Sequence, residues 1–209
     1  HEGSGPINGR QECAHAHEVH AVSDSQLLVP DLGVDRLYHY RLSPLGDLNV
    51  EPAITLLQPG SGPRHIVVHP QLPLFYLINE LSNTVAVIDP SDNHHEQTVI
   101  STLPDNYRGS NTTAEIRLSE DGRFVYASNR GHNSIVTMAI DDRGIPREPS
   151  WVSTIGEHPR FFCLDPTQKW LLVANQQSDN VTAYPVVDGR PTAPVQTASV
   201  PTPTCLLFV

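Results

Sequence analysis

Short apolar runs that alternate with polar positions, each closed by Pro, Gly, Asn or Ser, recur along this chain. Residues 62–103 show the pattern best, in Arg64-His-Ile-Val-Val-His69, Leu74-Phe-Tyr-Leu-Ile78, Thr84-Val-Ala-Val-Ile88 and Thr98-Val-Ile-Ser-Thr102. Successive side chains of an extended backbone face opposite ways, so a period of two with β-branched and aromatic enrichment predicts a strand for each run, here A to D. No stretch of twelve or more residues keeps a 3.6-residue period, and helices are expected to be few and short.

The same unit returns. Segments starting at Leu28, Leu77, Ala127 and Val173 align on one frame in which Asp31, Asn79, Asn129 and Asn175 coincide, at spacings of 48, 50 and 46 residues. A repeat of that length made of four short strands is the size of a propeller blade. The expected fold class is all-β, a β-propeller of four-stranded antiparallel blades, with residues 1–209 as a single domain. The loop-like Gly3-Ser-Gly-Pro-Ile-Asn-Gly-Arg10 opens the chain, and Thr202-Pro-Thr-Cys-Leu-Leu-Phe208 reads as the A strand of another unit. An unmatched strand needs a partner, so further blades are expected upstream of His1.

Antiparallel strands reverse at every corner, which sorts the connections by face. The D-to-A connections carry His15-Ala-His17, Gly62-Pro-Arg64-His65, Ala114-Glu115-Ile-Arg117 and His158-Pro-Arg160, and the B-to-C connections carry Asp31-Leu-Gly33, Asn79-Glu80, Asn129-Arg130-Gly131 and Asn175-Gln176-Gln177. All of these are expected on one face, near the central channel. The other face holds Asp24-Ser, His69-Pro-Gln, Glu120-Asp-Gly and Asp165-Pro-Thr, which are ordinary turn sequences.

Composition narrows the function. A net charge of −10 and only 13 Lys and Arg supply no cationic footprint for nucleic acid. No run approaches the roughly 18 apolar residues that cross a bilayer, so no membrane association is expected. Cys13, Cys163 and Cys205 are odd in number and widely spaced, which fits a reducing cytoplasm better than a disulfide framework or a zinc knuckle. Lys169 is the only lysine among the 13 cations. Arginine is favoured where a planar, bidentate grip on carboxylate or phosphate is needed, so this bias in an acidic chain hints at a local anion site.

Taken in order, Gly3-Ser-Gly-Pro, Arg10-Gln11, His15-Ala-His17, Pro30-Asp-Leu-Gly-Val-Asp35, Gly62-Pro-Arg-His65, Asn79-Glu-Leu81, Ala114-Glu-Ile-Arg117, Ser128-Asn-Arg-Gly131 and Ala174-Asn-Gln176 resemble the seven-bladed propeller lactonases. That family includes a propeller-type 6-phosphogluconolactonase and the 3-carboxy-cis,cis-muconate cyclase. The resemblance runs over essentially the whole chain and implies about four of seven blades here. It implies a metal-free site without cofactor, with a histidine at His17 or its neighbour His15, an arginine at Arg64, a glutamate at Glu80 and a further arginine at Arg117 or Arg130. Ala14 departs from the family pattern, which often has proline before the first histidine.

The implied substrate partner is a small anionic lactone, foremost 6-phosphogluconolactone. Opening it requires a base to deprotonate water and donors for the tetrahedral oxyanion. His17 or Glu80 are the candidate bases, and Arg64 with Arg130 or Arg160 the candidate cations. Substrate contacts are expected from His15, His65, Glu115, Arg117, Arg160 and Gln176. A lactonising cycloisomerase would use similar parts, and a non-catalytic propeller would instead present a flat, aromatic face; 6% aromatic content favours a pocket.

Each residue also has a structural reading. His15 and His17, two apart on an extended stretch, could ligate a metal with Glu115. Asp31, Asn79, Asn129 and Asn175 recur in every unit and read as turn caps rather than catalytic groups. Arg64 and Glu80 could form an intrablade ion pair. His94-His95 reads as a solvated loop. The sequons at Asn111 and Asn180 carry little meaning in a cytoplasmic protein.

Overall fold

A computed structural model describes residues 1–49, 51–91 and 96–208, with backbone alone at Glu96 and Gln97. His94 and His95 lie outside the described residues. The described chain is all-β, without a helix, and forms two compact units. One comprises His1–His69 and Pro73–Ile100, the other Pro70–Leu72 and Ser101–Val209.

In the first unit β1 (His20–Ser23), β2 (Gln26–Asp31), β3 (Arg36–Arg41) and β4 (Ala53–Leu56) form one antiparallel meander, and β5 (Pro63–Val68), β6 (Phe75–Asn79), β7 (Thr84–Ile88) and β8 (Glu96–Ser101) another. The expected strands at 64–69, 74–78, 84–88 and 98–102 fall on β5 to β8 within two residues. Leu28, Leu37, Ile66, Phe75, Leu77, Ala86 and Ile88 pack together from both sheets. Burying a large apolar side chain is worth roughly 1.5–3 kcal/mol, so this cluster outweighs any exposed ion pair of the unit.

The second unit repeats the plan. Its strands β9 (Thr112–Leu118), β10 (Phe124–Arg130), β11 (Ser134–Ile140) and β12 (Pro146–Ser153) make one sheet. The other holds β13 (Pro159–Leu164), β14 (Trp170–Asn175), β15 (Asn180–Val187) and the short β16 (Arg190–Pro191), with β17 (Gln196–Ser199) also paired to β15. Tyr126 and Ile135 of the first sheet meet Phe162, Leu171, Val173 and Tyr184 of the second in a buried cluster.

The strand expected over Thr202–Phe208 is not formed. A strand exists only through its ladder, and these residues pair with no strand among the described residues. The segment is instead tied back at its start, where Thr202 N donates to Asp179 Oδ1 at 2.7 Å.

The B-to-C corners share a detail that positions the loops beside them. Asp35, Asn83, Asn133 and Asp179 each follow the recurrent Asp or Asn by four residues and each has φ between 52° and 59°. This left-handed conformation is tolerated best by Asn and Asp after glycine. Three corners show what the paired side chains do. The first residue holds the connection entering the blade: Asp31 Oδ1 accepts from His15 N at 2.7 Å, Asn129 Nδ2 donates to Thr102 O at 2.9 Å, and Asn175 Nδ2 donates to Thr154 O at 3.0 Å. The second holds the connection leaving it: Asp35 accepts from Gly60 N and Gly62 N, both at 2.7 Å, Asn133 Oδ1 from His158 N at 3.0 Å, and Asp179 from Thr202 N. The turn-cap reading holds literally at Asp31, whose Oδ1 also takes Gly33 N at 3.0 Å. At Asn129 and Asn175 the side chain reaches across to the neighbouring connection instead.

Candidate functional site

The first unit gathers His15, His17, Arg64, His65 and Glu80. Residues 15–17 run antiparallel to the end of β2: Ala16 bridges to Asp31, His17 N donates to Pro30 O at 3.0 Å, and Leu32 N donates to His15 O at 2.9 Å. His15 and His17 therefore flank a bridge residue and face the same way, their ring centroids 5.9 Å apart. The approach of this segment to the corner depends on Gly33, where a Cβ would fall 1.9 Å from the Cys13 carbonyl oxygen. His17 meets the His65 ring edge-on at 5.0 Å.

Beside the imidazoles lies an ion triad, two of whose members are buried. Arg64 Nε donates to Glu80 Oε2 at 2.9 Å, and Arg10 Nη2 donates to Glu80 Oε1. Arg64 and Glu80 are 3% and 5% exposed, which makes this a core ion pair rather than a surface one. Arg64 Nη1 also stands 3.2 Å from the His65 ring nitrogens. Backbone geometry supports the arrangement, since Glu80 N donates to Gly62 O at 2.7 Å, next to the start of β5. The ion pair anticipated as a structural reading of Arg64 and Glu80 is thus present, with a second arginine on the other carboxylate oxygen.

Burial, then the positive charge of Arg64 and the neighbouring His65, push the pKa of His17 down to about 3, against the opposing charge of Glu80. At neutral pH its imidazole is uncharged, and its Nδ1 is buried without a hydrogen-bond partner among the described residues. Glu18, one residue on, accepts from Ile66 N at 2.8 Å and ties this segment to β5. Burial raises its pKa, but contact with His20, the charge of His65 and the Ile66 amide together hold it below the usual value.

The second unit holds the remaining candidates. Glu115 and Arg117 project from β9 two residues apart and form an ion pair at 3.3 Å, with the Arg117 guanidinium 5.3 Å from the Phe161 ring centroid. Glu115 is buried, and its amide donates to Ser128 Oγ at 3.0 Å. Arg130, at the end of β10, is buried and donates from Nη2 to Thr113 O at 2.6 Å. It lines a cleft of about 290 Å³ with Ser110, Asn111, His158 and Gln177. Arg160 is half-buried on β13, and Gln176 follows β14 with its amide donating to His158 O at 3.1 Å. A larger cleft of about 480 Å³ opens at the opposite end of β10, over Phe124 and Tyr126. Its polar groups are turned on one another, Ser119 Oγ to Asp121 at 2.6 Å, Arg123 Nε to Asp121 at 2.7 Å and Tyr126 OH to Gly189 O at 2.8 Å. Among the described residues no three His, Cys, Asp or Glu side chains are grouped to hold a metal ion.

Sequence reasoning assigned no role to Arg10, Glu18 or Asp35. The first 17 residues carry no strand period, and a loop arginine gives no signal of where its guanidinium ends. Asp35 was discoverable, because an Asp or Asn recurs four residues after each shared Asp or Asn.

A family model described as "Lactonase, 7-bladed beta-propeller" matches residues 1–208. The 6-phosphogluconolactonase of Bacillus subtilis strain 168 is 35% identical over 216 residues, covering 100% of this chain and 61% of that one. An uncharacterised protein of Lactococcus lactis, YwcC, is 38% identical over 189 residues, 88% of this chain and 54% of its own. The solved structure of the periplasmic gluconolactonase PpgL of Pseudomonas aeruginosa superposes with a TM-score of 0.91 at 31% identity, over 100% of this chain and 61% of that one. The chain thus spans between 54% and 61% of the length of these relatives.

Proposed function

Given that this chain belongs to the seven-bladed β-propeller lactonase family, we propose that it serves the hydrolysis of a small anionic lactone, with 6-phosphogluconolactone as substrate. The observation that carries this reading is a neutral, partly buried His17 set against the Arg64–Glu80–Arg10 triad. Such a pair joins a proton acceptor to fixed positive charge, the two requirements of acyl hydrolysis.

In this reading water attacks the lactone carbonyl carbon while its proton passes to the unprotonated nitrogen of His17. The oxyanion that forms is stabilised by the cationic edge of Arg64. Collapse of the tetrahedral species breaks the ring carbon–oxygen bond, and the departing ring oxygen takes the proton from His17, leaving the hydroxy acid. Low basicity limits His17 in the empty site; a bound anion offsets the Arg64 charge and raises its proton affinity when substrate is present. Glu80 already accepts a guanidinium on each oxygen, so it acts by fixing the two arginines rather than as the base. His15 and His65 line the same imidazole group as substrate contacts. In the second unit Arg130 is proposed as the further catalytic arginine, with Glu115, Arg117, Arg160 and Gln176 as substrate contacts. The three unpaired cysteines support a cytoplasmic location.

The test is hydrolysis of 6-phosphogluconolactone by the full-length protein, corrected for spontaneous opening, beside His17→Gln and Arg64→Lys. Loss of activity in both variants, with each still folded, supports the reading. Wild-type turnover no faster than the spontaneous rate sinks that substrate and moves the lactonising cycloisomerase to the front.

A further inference from the structure

We propose that Arg10 is the specificity-determining residue that reads the anionic group of the substrate, an inference that rests on the lactonase reading above. Arg64 is the obvious candidate for that task, but its side chain is only 4% exposed and its Nε and Nη1 already face Glu80 and His65. Arg10 shares the same carboxylate, yet its side chain is 41% exposed. One edge of its guanidinium is therefore locked while the rest meets solvent, which is the geometry of a preset fork for phosphate or carboxylate.

The loop that carries Arg10 is held from within. Gln11 is 1% exposed and donates from Nε2 to Leu32 O at 2.7 Å and to Asp35 Oδ1 at 2.8 Å, while its Oε1 accepts from Ile7 N at 3.1 Å. Its amide closes a turn onto Ile7 O at 2.9 Å, and Arg10 N donates to the same oxygen at 3.1 Å. Holding Arg10 in place before substrate arrives lowers the entropy lost on binding, since a free arginine otherwise loses its rotamers at that moment.

Charge points the same way. Arg10, Arg64 and Glu80 together leave one net positive charge in a chain whose total is −10. The group therefore offers an anion a local attraction that the net charge of the chain does not.

The experiment compares full-length wild type with Arg10→Gln and Arg10→Lys on 6-phosphogluconolactone and on uncharged glucono-1,5-lactone, with calorimetric titration of 6-phosphogluconate as a readout independent of turnover. The loss in kcat/KM for Arg10→Gln is expected to be at least tenfold larger on the phosphorylated lactone than on the uncharged one and to lie in KM, with partial recovery in Arg10→Lys. Affinity for 6-phosphogluconate should fall about tenfold to a hundredfold in Arg10→Gln, the range of a charge-assisted bidentate contact. Equal losses on both lactones would make Arg10 a structural member of the triad and overturn the inference, as would unchanged binding of 6-phosphogluconate in the variant or none in the wild type. A wild type that hydrolyses neither lactone refutes the lactonase reading alone, and the titration still decides the role of Arg10.

Discussion

Replacing Asp35 should loosen both arginines of the triad at once, although Asp35 touches neither. Its carboxylate accepts Gly60 N and Gly62 N at 2.7 Å and Gln11 Nε2 at 2.8 Å. Gly62 precedes Arg64 by two residues and Gln11 follows Arg10 by one, so this one side chain pins the backbone beneath both guanidiniums. Removing it in Asp35→Ala orphans Gly62 N and one of the two Gln11 Nε2 hydrogens, the other staying on Leu32 O, together with the half-buried Gly60 N that water can reach. An orphaned buried donor costs about 1–3 kcal/mol, and an alanine at φ 53° adds about 1 kcal/mol. The expected loss is therefore about 3–7 kcal/mol. Asp35→Asn keeps the left-handed tolerance and one acceptor, and should lose about half as much. Trp151 and Trp170 both belong to the second unit, so tryptophan fluorescence is blind to this change. Denaturant melting by far-UV circular dichroism, with hydrogen exchange read at residues 58–64, is the suitable assay. An alanine variant within 1 kcal/mol of wild type, with unchanged exchange at Gly60 and Gly62, would refute the reasoning.

Gly33→Ala should separate residues 13–17 from the β2 corner, because the new Cβ would sit 1.9 Å from backbone that cannot swing away; impaired lactone hydrolysis and a lowered melting temperature are expected, and a fully active variant would contradict the close approach. Arg64→Met should cost about 3–5 kcal/mol by stranding part of a buried carboxylate, whereas Arg64→Met with Glu80→Leu should cost less than the two singles added, a non-additivity that a double-mutant cycle measures. His17 takes its proton near pH 6.5 unfolded but only near 3 folded, so between those values the unfolded state binds more protons and stability falls as pH falls. The loss sets in as pH falls through 6.5 and levels off below pH 3; urea titrations should show a steeper fall in wild type than in His17→Gln.

The blades were legible because their information is local and repeated: period-two runs set β5 to β8 to within two residues, and the spacing of Asp31, Asn79, Asn129 and Asn175 set the frame. His17, Arg64 and Glu80 were named through motifs that resemble those of the lactonase family, and the frame added only that their connections open on one face. The place of Arg10 was not legible, since it follows from side-chain bonds of Gln11 to Leu32 and Asp35, residues more than twenty positions away that no local pattern links. The depth of the Arg64–Glu80 pair was equally hidden, because the same two residues could have met at the surface. The strand expected over Thr202–Phe208 failed for the opposite reason: a correct local pattern forms no strand without a ladder.

The doubled Asp or Asn of each corner has a consequence for how such a protein can change over evolutionary time. The residue directly after the first of the pair is Leu32, Glu80, Arg130 or Gln176, depending on the repeat. Apolar, acidic, basic and amide side chains all occupy that socket, while the fastening beside it scarcely varies. Duplication of a blade therefore copies the fastener intact while the adjoining position takes on different chemistry in each copy, provided that its mostly buried side chain finds a partner there.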